Sequence, residues 1–423
     1  MKTKRVKFNS YNLIMTKVKD FKEINIRVIF KRPFNKDDVT KDSLLIDMLT
    51  YATKNYPNHV SFINKTKDLY GTFVESYNGR TGNFNLLTIS LSAINSNYVE
   101  MDMLKESILL LKEIIFNPNV TNNKFDLNTF NINKERLIGI LKNVKDNKAR
   151  YTELKMLKYL DKTKPYAYNI DGNLKDLKNI TSKDIYDEYL KVLNESEINI
   201  YITGDIDFEE VQKKFEDNID FNRTNKKYKD IFIVNNKTNK IKMLVEKTNN
   251  VQSKLSIGCK IDNIDEVLYP LFLYNIILGA STKSRLFLNV REKLSYAYYI
   301  NSGLILTDNL LVINSGIDKK NLMNVINEIK KEMDDIKNGN ISDDEIDMAK
   351  RTYINSLLTM LDNLSSITYI VSGFDILGRD NYLKRIKEVE KVAKEDIIKV
   401  ANLIHMDTVF LLEEGDKVEN NQD

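Results

Sequence analysis

Cysteine occurs once in the 423 residues and histidine twice. The lone Cys259 excludes an intrachain disulfide framework and a cysteine-based zinc knuckle. His59 and His405 stand 346 residues apart (59 to 405), which all but excludes chemistry that needs several imidazoles in one place. Charge of one sign is lacking as well. Sixty-four Lys+Arg against 60 Asp+Glu leave +4, near balance for this length, which argues against a dedicated nucleic-acid or membrane-surface protein. The longest near-apolar run, Tyr269–Ala280, has the length of a buried helix and falls short of the ~20 residues of a membrane span. The opening MKTKRVKFNSYNLIM has basic residues but neither an apolar core nor a small-residue cleavage site, so a soluble cytoplasmic chain is expected.

What is present is globular: 42% hydrophobic and 29% charged residues, enough for two or three domains with real cores. A long-period repeat organises them. Leu177–Ile185 leads through a helical stretch to Ile198-Asn199-Ile200-Tyr201-Ile202-Thr203-Gly204-Asp205. Lys387–Ile397 leads likewise to Thr408-Val409-Phe410-Leu411-Leu412-Glu413-Glu414-Gly415-Asp416. The aspartates are 212 residues apart (184 to 396) and the glycines 211 (204 to 415), so a whole domain is duplicated.

Each half then reads alike. Leu44, Leu45, Met48, Leu49 and Ala52 have helical spacing, and Tyr269–Leu278 is the counterpart. Gly71–Tyr77 with Phe84–Leu91, and Tyr296–Ile300 with Leu310–Asn314, read as strand pairs. Amphipathic helices follow through Leu104, Ile108, Leu111 and Ile115, and through Leu322, Val325, Ile326, Ile329 and Met333. Ser342-Asp343-Asp344-Glu345 spells a capping box. The expectation is an α+β chain of two homologous domains, each an antiparallel sheet with helices on one face. The domains fall at 1–222 and 241–423, with a polar linker at 223–240 in which Ile231-Phe232-Ile233-Val234 has strand composition. The tail after Gly415 is expected to fray.

Several features read as ordinary structure. Gly279-Ala280-Ser281-Thr282 lacks the strand–loop–helix context of a phosphate loop. Cys259 reads as a small core hydrophobe, and the two Gly-Asp pairs as turns. Arg291-Glu292-Lys293 could be the solvated end of a helix, and Tyr296-Ala297-Tyr298-Tyr299 an aromatic strand.

Two such halves with Ser284-Arg285-Leu286-Phe287-Leu288-Asn289-Val290-Arg291-Glu292-Lys293, then Tyr298 seven residues after Arg291, resemble the insulinase/pitrilysin (inverzincin) metallopeptidases in their short two-domain form. The resemblance spans the chain. It implies that Arg291 and Tyr298 contact a substrate peptide near the scissile bond, Arg291 gripping a carbonyl and Tyr298 donating to the developing oxyanion. The family's zinc sits on H-x-x-E-H in the first domain plus a distal glutamate. Here that helix reads Ser43-Leu44-Leu45-Ile46-Asp47, with Ile46 where the general base belongs, and Glu135 matches the distal glutamate.

Catalytic zinc needs three protein ligands and an open position, so the resemblance implies no metal and no cofactor in this chain. It implies instead the non-zinc subunit of a heterodimer, supplying Arg291 and Tyr298 in trans to a zinc-bearing partner that cleaves peptides. The subunit resembles the bacterial partner type associated with elongation factor P modification; the equivalent subunit of a leader peptidase is close to it. The other reading is a structural or binding homologue with no proteolytic role.

Overall fold

The computed structural model describes residues 1–236, 240–249, 252–262, 264, 267–378 and 381–415. The first half of the chain opens with strands β1 (Lys2–Lys7), β2 (Asn12–Lys17) and β3 (Glu23–Pro33), then helices α1 (Val39–Tyr51) and α2 (His59–Asp68). Strands β4 (Phe73–Thr81) and β5 (Phe84–Ile94) precede α3 (Met103–Phe116), a small hairpin β6 (Val120–Thr121) and β7 (Lys124–Phe125), and α4 (Leu127–Asn143). Helices α5 (Lys148–Leu160), α6 (Leu174–Asn179) and α7 (Ser182–Glu195) lead to β8 (Glu197–Gly204) and α8 (Phe208–Asn218).

The second half repeats the plan. Strands β9 (Lys242–Thr248) and β10 (Ser253–Ile261) precede α9 (Leu268–Leu278) and a π-helical segment, Leu286–Lys293. Then come β11 (Ala297–Ile305), β12 (Leu310–Ile317), α10 (Leu322–Lys337) and α11 (Asp343–Thr359). Helices α12 (Leu364–Ile376), α13 (Tyr382–Lys391) and α14 (Lys394–Leu403) lead to β13 (Ile404–Glu414).

The sheets run β1-β2-β8-β3-β5-β4 and β11-β12-β10-β13-β9. Read from β4, the first has the order of the second with β1 added. Their pairings agree: β2–β8 and β9–β13 are parallel and the rest antiparallel. The expected sheets are thus antiparallel except for one parallel pair each. The repeated aspartates have one local reason. Asp184 accepts from the Thr181 N–H at 2.8 Å and Asp396 from the Ala393 N–H at 2.9 Å, each closing the first turn of the helix before the last sheet strand. Ser342 and Glu345 also cap each other, as their spacing predicts.

The compact units do not follow the expected contiguous boundaries. One comprises the described residues of Met1–Lys142, Asn169–Ile231 and Thr359–Arg379; the other those of Asn143–Tyr168, Phe232–Leu358 and Asp380–Asp423. Each unit therefore holds a helix from the other half of the chain. In the first unit β3 alternates. Ile24, Ile26, Val28 and Phe30 enter a core beneath α1, α3 and α7, while Ile29 with Ile14 and Tyr201 packs against Ile367 and Val371 of α12. In the second, Leu255, Ile257 and Cys259 join the core beneath α9, α10 and α14. Its opposite face packs on α5, where a Cβ at Gly258 would lie 2.5 Å from Leu160 and Met156. Helices thus lie on both faces of each sheet, because an amphipathic helix covers the apolar patch that each second face retains.

Within the expected linker, Ile233 is buried and its N–H donates to Thr307 O at 2.8 Å, but 231–234 forms no strand. Residues 237–239 of that linker, the Asp416 turn position and the 416–423 tail lie outside the described residues. No described helix is long and apolar enough to cross a membrane.

Candidate functional site

The helix on which the resemblance places the zinc motif, at Ser43–Asp47, is α1. Ser43, Leu44, Leu45 and Ile46 are buried there, and Thr50 bonds Ser76 of β4 at 2.7 Å, fixing the helix against the sheet edge. Asp47 is half-buried; burial raises its carboxyl pKa, opposed by Arg136. Glu135 is exposed on α4. His59 stacks on Tyr51 at 4.6 Å in the first unit, and His405 lies 3.4 Å from Asp262 in the second. Among the described residues no group of three or more His, Cys, Asp or Glu could hold a metal. The donor set does not fit catalytic zinc: a buried serine and a buried isoleucine stand at a ligand position and at the base position, and Asp47, the one carboxylate within Ser43–Asp47, feels the charge of Arg136.

The start of α1 is instead held by buried ions that the sequence did not disclose. Arg32 of β3 bonds both Asp42 and Glu188, and all three are almost wholly buried. Lys41 bridges Asp38 and Glu188 at 2.8 Å each, Lys191 bonds Asp38, and the Asn85 amide donates to Asp42 at 2.5 Å. Burial pushes the Asp42 carboxyl up to about 7, against the pull of Arg32. Burial works the same way at Asp38, but bonds from Lys191 and Lys41 hold it down at about 2. The six charged groups lie on β3, on α7 and at or just before the start of α1, separated by up to 159 positions (32 to 191), so no local pattern could reveal them.

Arg291 and Tyr298 both lie in the second unit, on consecutive elements. Arg291 is on the π-helical segment, in which Leu294 N–H donates to Asn289 O at 3.0 Å, the i→i+5 pattern. Such turns recur at functional sites because they displace one residue from its helical position. The segment is anchored from below. Arg285 Nε donates to Glu345 Oε1 at 2.6 Å, and Asn289 donates to Glu332 Oε1 at 2.5 Å. The Arg291 guanidinium rests over the Phe287 ring at 4.6 Å and stays about two-fifths exposed, with Glu292 3.6 Å away.

Tyr298 sits in a β-bulge. Ala297 pairs with Ile317 and Tyr299 with Gly316, leaving Tyr298 as the extra residue. A bulge re-aims one side chain, and Tyr298 is 57% exposed on a strand whose neighbours Ala297 and Ile300 are buried. Its hydroxyl donates to Asp318 Oδ1 at 2.9 Å, a bond that raises the phenol pKa. Two glycines permit this arrangement. A Cβ on Gly279 would lie 2.5 Å from Ser302 Oγ, and one on Gly316 2.5 Å from the Tyr299 ring. Gly279 accordingly ends α9 against β11, with Ser302 N–H donating to Gly279 O at 3.1 Å; the Gly279–Thr282 stretch is a turn that feeds the π-helical segment. Asp318 and Arg285 are the residues that sequence reasoning missed. The β11–β12 pairing brings Asp318 beside the bulge, a proximity legible only from the register. Cys259 is fully buried, and burial with nearby Asp407 pushes its thiol up to about 12, which makes it unreactive.

A family profile described as "Peptidase M16 inactive domain" matches residues 179–353. A "Probable inactive metalloprotease", YmfF of Bacillus subtilis (strain 168), is 29% identical over 406 residues, 94% of either chain. The crystal structure of a conserved protein from Enterococcus faecalis V583 is similar with a TM-score of 0.91 and 26% identity, over 98% of this chain and 99% of that one. A peptidase M16 inactive domain from Pseudomonas fluorescens shares the fold at 16% identity, with a TM-score of 0.80 over 98% and 99% of the chains. Residues 179–353 thus match the inactive domain of the M16 peptidases, and along its length the chain is similar to a probable inactive metalloprotease of the same size.

Proposed function

We propose that this chain is the non-zinc subunit of a two-chain insulinase-family peptidase. It acts in the cytoplasm and presents Arg291 and Tyr298 to a peptide that a zinc-bearing partner cleaves. The observation that carries the reading is the aim of Tyr298. A bulge turns the ring outward and Asp318 orients its hydroxyl, although an exposed strand aromatic needs neither for stability. Arg291 adds a solvent-accessible guanidinium, packed on Phe287 so that little freedom is lost when it grips a carbonyl. Attack on a peptide carbonyl places negative charge on its oxygen, and a phenol held in advance can donate to that charge. Substrates are unfolded peptides, a leader or other small peptide among them.

The test is cleavage by the assembled pair. Tyr298→Phe keeps the ring and should reduce turnover by about 10²–10³-fold, the usual cost of one oxyanion donor. Arg291→Ala should weaken both binding and turnover, because a carbonyl grip acts in ground and transition states alike. Normal assembly with unchanged cleavage in both variants would leave a structural or binding role in its place.

A further inference from the structure

The face of the first unit's sheet that α12 partly covers carries polar groups with no partner. Arg27 of β3 is 4% exposed, yet no described residue hydrogen-bonds its Nε or Nη1, and it forms no ion pair. Its guanidinium lies 5.5 Å from the ring centroid of Tyr369, which is itself 58% exposed. The register places Ser90 and Tyr201 on either side of Arg27, and Ser92 and Thr203 on either side of Asn25. Asn25 spends its amide donors on Ser92 Oγ at 2.9 Å and on Leu91 O at 3.2 Å. Its Oδ1 and the buried Thr203 Oγ1 are left without partners.

A buried, unpaired charge is among the most costly features a fold can keep. Where sequence and structure break a packing rule without local compensation, the position is expected to serve a ligand. We propose that this face is a receptor for one carboxylate of a bound peptide, with Arg27 as the fork and the hydroxyl-lined strands as its flanks. One guanidinium suits a monoanion. Lys31, the other cation of β3 on that face, is already held by Glu197 at 2.8 Å, and a phosphate dianion would call for a second free cation. Two acids are near: Glu75 of β4, opposite Ser90, lies two strands from Arg27, and Asp375 of α12 accepts from the Tyr201 hydroxyl at 3.1 Å and is paired with Arg5 at 3.0 Å, which leaves Ser90 and Thr203 as the hydroxyl flanks.

The proposal rests on the peptide-binding reading above but not on Arg291 or Tyr298. Its test is binding of labelled, unstructured peptides to the full chain, by fluorescence anisotropy. One peptide carries a free C-terminus and no acidic side chain, a second is its amide, and a third is an amide with one internal Glu. Wild type should bind a carboxylate-bearing peptide at least about tenfold tighter than the all-amide peptide; which one it prefers tells a C-terminus from a side chain. Arg27→Met should abolish the difference and Arg27→Lys should retain part of it. Because the charge has no hydrogen-bonded or ionic partner to lose, only the half-exposed Tyr369 ring, Arg27→Met should melt within a few degrees of wild type. Equal affinities for acid and amide, or discrimination that survives in Arg27→Met, overturn the proposal while leaving peptide binding intact. A large drop in melting temperature in Arg27→Met also overturns it, by showing a structural group. Discrimination that holds while Tyr298→Phe cleaves normally refutes the proposed catalytic role and not this one.

Discussion

Arg32→Met isolates the ion cluster that holds the start of α1. The guanidinium meets two carboxylates, and the side chains of all three partners are at most 3% exposed. Methionine retains much of the aliphatic stem and removes the charge, so packing changes little. What remains is Asp42, bonded by the neutral Asn85, beside Glu188, still met by Lys41 at 2.8 Å. Unit charges about 4 Å apart attract by roughly 4 kcal/mol at an effective dielectric near 20, and two contacts are lost together. Desolvation offsets much of that. Measured losses on breaking a buried pair by removing one partner are about 3–5 kcal/mol, and that range is expected here. With no tryptophan in the chain, unfolding is followed by far-ultraviolet circular dichroism. At a slope of about 3 kcal/mol per molar urea, the midpoint should fall by roughly 1–1.7 M. Replacing the buried triad, Arg32→Met with Asp42→Leu and Glu188→Met, should recover most of the loss, since apolar substitutes remove the burial penalty as well and Lys41 keeps Asp38 as its partner. A midpoint shift below about 0.3 M for the single variant would place the cluster among weak surface pairs and refute this reasoning.

The same cluster predicts a pH signature. The Asp42 pKa is raised on folding, so its stabilising contribution is complete below the unfolded carboxylate range and is lost as pH rises through about 7. Asp38 acts oppositely, its contribution lost only as pH falls through about 2. Asp42→Asn should therefore flatten the decline in stability between about pH 4 and 7; an unchanged slope would remove Asp42 as its source. Gly316→Ala should force the Tyr299 ring aside and disturb the bulge, lowering activity of an assembled pair more than stability; full activity would show that the bulge geometry is not used.

Much of the architecture was legible because it is written in local patterns. Apolar spacing along Leu44–Ala52 and Leu322–Met333 specifies helices, and the Asp184 and Asp396 repeat marks two equivalent caps. The exchange of α5 and α12 was not legible. Amphipathicity tells which residues of α12 seek cover, Ile367 and Val371 among them, but not which sheet supplies it. The bulge at Tyr298 is a one-residue slip within Tyr296–Tyr299, where every residue has strand propensity. The π-helical turn under Arg291 carries the same apolar positions as an ordinary helix and differs only in the i→i+5 bonds. The five residues Ser43–Asp47 offer one side chain able to ligate zinc, Asp47, where the resemblance implies two imidazoles and a general-base glutamate.

The most direct measurement of the central claim combines this chain with a zinc-bearing, H-x-x-E-H insulinase-family chain from the same genome and follows both peptide cleavage and zinc content. This chain alone should bind no stoichiometric zinc and cleave nothing, the pair should copurify with one zinc, and cleavage should need both chains. One equivalent of zinc on this chain alone with activity that a chelator removes, or a partner whose cleavage rate is the same without it, would contradict the account.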